Sequence, residues 1–76
     1  MKIIGYALCL NNSDYPSSLD VRKIYPIVEP HPNDPPEYIR IIDESGEDYL
    51  YSESRFSPLK LSAKIQKQVK ESFSFA

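Results

Sequence analysis

The chain has 76 residues, of which 41% are hydrophobic and 26% charged, with a formal net charge of −2. This is one domain, with a core near the lower limit for independent folding, and a composition outside the disordered, collagenous and membrane-spanning classes. One cysteine, Cys9, and one histidine, His31, rule out an internal disulfide and the usual zinc ligand sets.

The charge is unevenly placed. Residues 1–28 carry three basic and two acidic groups, residues 29–54 carry eight acids against Arg40 alone, and residues 55–76 carry five basic groups against Glu71. The segments are therefore net +1, −7 and +4. Such separation predicts either an electrostatic face for a partner or an acidic middle that meets a basic tail.

In chain order, "KIIGYALCL" predicts a strand over residues 3–10. Large side chains at Ile4, Tyr6, Leu8 and Leu10 alternate with small ones at Gly5, Ala7 and Cys9, and the large set is expected to enter the core. A signal peptide is not expected, because Asn11, Asn12, Ser13 and Asp14 offer no small-residue cleavage site. With a buried free thiol and no disulfide, the composition suits a cytoplasmic protein. "NNSDYPSS" is dense in turn formers and reads as a loop. "LDVRKIYPIVE" returns to strand, and Pro26, which has no N–H to donate, predicts an edge position or a bulge. The prolines of "PHPNDPPE" predict a stiff connector.

Residues 38–51, "YIRIIDESGEDYLY", carry the strongest hairpin signal. Ile39 and Ile41 share one face, Arg40 and Ile42 the other. A three-residue loop, Glu44-Ser45-Gly46, places Gly46 where a positive φ is needed, and a two-residue Ser45-Gly46 turn is the second geometry. In the return strand, Tyr49 and Tyr51 are expected to flank an inward Leu50. "SESRFSP" predicts one tight turn that delivers Phe56 to the core, and "PLKL" a last short strand. From Ser62 onward, Leu61, Ile65, Val69 and Phe73 recur at four-residue spacing, the narrow apolar stripe of an amphipathic helix. That helix, within residues 62–76, is expected to pack on the small side of the first strand or on a neighbouring chain.

Five short strands, a tight hairpin between the third and fourth and a one-turn break before the fifth predict a mainly β fold, an SH3-like five-stranded small barrel over residues 1–61. In "RKIYPIV", "YIRIIDESGEDYLY" and "SRFSP" the chain resembles a group of small bacterial and phage-borne proteins. Their strands read K-x-Y-x-V, then Y-x-R-x-I-D-E-S-G-E-D-Y-L-Y, then a Phe. Lys23, Tyr25, Arg40, Asp43 to Tyr51 and Phe56 fit this pattern, over roughly residues 19–59. The resemblance implies the SH3-like fold and no activity. The chain lacks tryptophan and carries "SRFSP" where eukaryotic SH3 domains have Pro-Ser-x-Tyr, so the likeness does not extend to their polyproline-gripping groove.

Catalysis is not expected. Nothing in the sequence places His31 beside Cys9 or a serine, and Gly5 and Gly46 are too isolated for a phosphate loop. The acidic hairpin tip, Asp43, Glu44, Glu47 and Asp48, lacks the alternating ligand spacing of a calcium loop, so neither a metal nor a cofactor is expected. A nucleic-acid-binding SH3-like domain is the alternative, with Arg22, Lys23, Arg55 and the tail lysines as its basic groups; the acidic middle opposes it. The aromatic content predicts an interaction surface that includes Tyr15, Tyr25, Tyr49 and Tyr51, with Arg40 and Arg55 beside them. The expected function is thus a non-enzymatic protein-interaction module whose partner is another protein or its own copy in a homodimer, away from membranes.

Overall fold

The computed structural model describes residues 2–72. It is mainly β, with strands β1 (Ile3–Cys9), β2 (Ile24–Val28), β3 (Tyr38–Ile42), β4 (Asp48–Ser52) and β5 (Phe56–Leu59), followed by one helix, α1 (Ala63–Ser72). All five strands form one antiparallel sheet in the order β4-β3-β2-β1-β5. β4 and β5 lie at opposite ends of that order, yet only a 3-10 turn, Glu53–Arg55, separates them in sequence. The sheet therefore bends round on itself, since flat strands about 4.8 Å apart would hold its ends much further away. Among the described residues no ladder joins β4 to β5, so the sheet is not closed.

The bend decides which side chains are inside. The core contains Ala7, Cys9, Leu19, Tyr25, Ile41, Tyr51 and Phe56, with Tyr15, Ile27 and Ile39 against it. This reverses the expectation for β1: its small residues face the core, while Ile4 and Leu10 are 55% and 52% exposed. Three rings, Tyr25, Tyr51 and Phe56, enter the same inner space from β2, β4 and β5. Ala7 and Cys9 leave the volume those rings occupy, and close packing then excludes larger residues at these positions. Tyr6 is buried on the opposite face, where its hydroxyl donates to the Gln66 carbonyl of α1 at 3.4 Å. The helix thus lies on the Tyr6 side and not on Gly5, Ala7 and Cys9.

β4 is also turned over relative to expectation. Its register with β3 pairs Ile39 with Tyr51, Arg40 with Leu50 and Ile41 with Tyr49. Tyr51 is therefore in the core, and Leu50 shares the outer face of Arg40. Pro26 is not at an edge, for β2 lies between β1 and β3. It is tolerated because β2 pairs with β3 only at Ile27 and Val28, so no hydrogen bond to β3 depends on Pro26. β5 starts at Phe56, opposite Cys9, two residues before "PLKL". As expected, the turn before it delivers Phe56 to the core.

The hairpin has the expected loop. The Gly46 amide donates to the Asp43 carbonyl at 3.0 Å and the Asp43 amide to the Glu47 carbonyl at 3.3 Å, which leaves Glu44, Ser45 and Gly46 in the turn. Gly46 has φ +82°, the left-handed conformation such a loop requires. A Cβ there would meet nothing within 4 Å, so Gly46→Ala should cost only the backbone strain, about 1–2 kcal/mol. A urea midpoint equal to that of the unmodified protein would show that the turn adopts another form.

In α1, Ser62 Oγ accepts the Ile65 amide at 3.2 Å and caps the N-terminus. The helix is neither long nor apolar enough to cross a membrane. Phe73, the last expected member of its apolar stripe, lies outside the described residues.

Candidate functional site

The four acids at the hairpin tip divide among separate structural tasks. Asp43, only 9% exposed, accepts hydrogen bonds from the Ser45 amide at 2.9 Å, from Ser45 Oγ and from the Tyr51 hydroxyl at 2.6 Å. Glu44 accepts from Lys23 Nζ at 2.7 Å and from the Tyr25 hydroxyl, and its amide donates to the Ser18 carbonyl at 2.9 Å. Asp48 pairs with Arg40 Nη1 at 2.9 Å, while Arg40 Nε and Nη2 hold both oxygens of Asp34 at 2.6 and 2.8 Å. Arg40 therefore clamps the proline-rich loop to β4, using the planar fork that a lysine lacks. Glu47 is exposed and makes no ion pair among the described residues.

These contacts shift the groups involved. The hydrogen bond from Lys23, then that from Tyr25, holds the Glu44 carboxyl below its usual range, and Arg40 does the same to Asp34. Burial, reinforced by the carboxylate each hydroxyl faces, pushes the Tyr25 and Tyr51 phenols far above their ordinary value. The repulsion expected among crowded acids is thus relieved by cations and tyrosine hydroxyls from distant parts of the chain. The expectation that tail lysines would approach the tip is met only in part. Val69 and Ser72 line the same groove as Asp43 and Glu44, but Lys60, Lys64, Lys67 and Lys70 make no ion pair among the described residues.

Two of the four predicted surface tyrosines are not at the surface. Tyr25 and Tyr51 are buried, because β2 and β4 direct them to the inner side of the bend, and only their hydroxyls reach the polar tip. Tyr15 and Tyr49 do form an accessible pair. Tyr49 is 51% exposed, and its ring centroid lies 6.1 Å from that of half-buried Tyr15. Both rings lean on Tyr51, at 5.0 and 5.1 Å, which roots the pair in the core. The Arg55 guanidinium lies 4.8 Å from the Tyr15 ring centroid and donates to the Ser13 carbonyl at 2.6 Å. Arg55 thereby fixes the loop that carries Tyr15. Arg40 belongs to the clamp and not to this patch.

A second feature had no signal in the sequence. An open groove of about 580 Å³ runs between the hairpin tip, the start of β2 and the end of α1, lined by Arg22, Lys23, Ile24, Glu44, Val69 and Ser72 among others. Arg22 holds φ +67°, an uncommon conformation for a side-chain-bearing residue. The groove is built from segments that only tertiary folding brings together. Among the described residues no three His, Cys, Asp or Glu side chains converge as metal ligands. Comparison with protein-family models, curated proteins and solved structures finds no match for this chain.

Proposed function

We propose that this chain is an SH3-like protein-interaction module that acts by binding and not by catalysis, through the surface formed by Tyr15, Tyr49 and Arg55. The observation that carries the reading is the exposure of the Tyr49 ring beside Tyr15 on a base of buried Tyr51. An exposed aromatic whose position is already ordered gives a partner large contact area at small entropic cost. The SH3-like assignment is supported by the strand order, with β5 returning to β1, and by the resemblance over residues 19–59. A binding role also suits the shifted carboxylates and the Tyr25 and Tyr51 phenols, which are engaged in holding the hairpin and the proline-rich loop in place.

Selection of peptide ligands from a display library on the intact protein, followed by polarisation titration against Tyr49→Ala, tests this. Removing a central aromatic contact should weaken the selected ligands at least tenfold, about 1.4 kcal/mol. Tyr49 is half exposed, so the variant should keep the parent's melting temperature within a few degrees. Ligands that bind Tyr49→Ala and the parent equally would overturn the proposal.

A further inference from the structure

Helix α1 is under-covered for its length. Its ten residues are too few to hold a helix in water unless one face is buried, yet none of its side chains is buried. Its contact with the sheet includes a single side-chain hydrogen bond, from Tyr6 to the Gln66 carbonyl. Ile65 remains 45% exposed, and Ile4 of β1, at an irregularity in its ladder with β2, is 55% exposed. Beside this apolar strip stand Lys60, Lys64, Lys67 and Lys70, all exposed and without an ion pair among the described residues.

The rest of the chain has the opposite imbalance. Glu29, Glu37, Glu47 and Glu53 are exposed and unpaired among the described residues, within the segment of net charge −7. Although Val69 and Ser72 of α1 line the groove at the hairpin tip, none of these lysines forms an ion pair with these glutamates within the chain among the described residues.

We propose that α1 and the exposed outer residues of β1 dock a second copy of this chain, the lysines of each copy against the exposed glutamates of residues 29–54 in the other. A two-fold axis makes the contact reciprocal, so each dimer contains it twice. The acidic complement is part of the molecule itself, which favours a copy over an anionic lipid surface; the lysines would be drawn to lipid, but the −7 segment would be repelled. The inference is independent of the Tyr15–Tyr49 surface.

The test uses sedimentation velocity on the whole chain at low and high salt with two charge-reversal variants, Lys64→Glu/Lys67→Glu and Glu47→Lys/Glu53→Lys. The unmodified protein should form a dimer that weakens as salt rises. Each variant alone should be monomeric, with dimerisation weakened at least about tenfold, because both reciprocal contacts become repulsive. An equimolar mixture should restore a dimer, since both contacts then pair opposite charges. All four positions are exposed, and melting curves will verify that each variant is folded. A protein monomeric under all conditions, a dimer indifferent to both reversals, or a monomer that instead binds anionic vesicles through the lysines would overturn the proposal.

Discussion

Tyr51→Ala is expected to leave the protein largely unfolded at room temperature, whereas Tyr51→Phe should fold with reduced stability. The Tyr51 ring sits in the core, 5.0 Å from Tyr15 and 6.0 Å from Phe56. Truncating a buried large aromatic removes about 3–5 kcal/mol. The same change leaves the buried Asp43 Oδ2 without its donor, which adds about 1–3 kcal/mol. A core in a chain under 80 residues supplies only about 3–5 kcal/mol of net stability, so the sum exceeds what is available. Tyr51→Phe keeps the ring and removes one charge-assisted hydrogen bond, about 1.5–3 kcal/mol, while Ser45 still holds Asp43. Urea titrations followed by near-ultraviolet circular dichroism separate the two. A Phe variant as stable as the parent would show that Ser45 alone satisfies Asp43, and a native-like Ala variant would remove the ring from the core.

The second large effect is a steep loss of stability in alkali. In the folded protein the Tyr25 and Tyr51 phenols are held well above the ordinary value, while the unfolded chain ionises them near pH 10. Below that pH both states keep the protons and the contribution is fully present. Above it the unfolded state binds fewer protons, so stability falls as pH rises towards the folded values, by about 1.4 kcal/mol per pH unit for each tyrosine. With both residues acting, a domain of this size should unfold cooperatively within about two units above pH 10. Phenolate absorbance should show the exposed tyrosines titrating first and the buried ones released together with unfolding. Tyr25→Phe/Tyr51→Phe, if folded at neutral pH, should lose most of this alkaline sensitivity. All six tyrosines titrating together near pH 10 without an unfolding step would contradict the buried hydroxyl–carboxylate pairs. On the acid side the sign reverses. Glu44 and Asp34 contribute above the usual carboxylate range, and that contribution is lost as pH falls below it through their lowered folded values.

Sequence alone determined the features that depend on neighbours in the chain. The loop Glu44-Ser45-Gly46 follows from the single glycine able to take a positive φ between two alternating segments. The helix follows from the four-residue spacing of Leu61, Ile65 and Val69. Phe56 entered the core as the one large apolar residue after a tight turn.

Only the tertiary structure decided what depends on long-range geometry. Alternation divides β1 and β4 into two faces without saying which is inner. The bend that brings β4 and β5 within three residues of each other put Ala7 and Cys9 inside in place of the larger residues of β1, and Tyr51 inside in place of Leu50. The tip acids likewise find partners 8, 19 and 21 residues away, Asp48 in Arg40, Asp43 in Tyr51, and Glu44 in Tyr25 and Lys23. Charge counting can foresee that such acids need partners, but the choice of partner is made by the sheet, because a carboxylate is stabilised only by the groups that folding brings within hydrogen-bond distance.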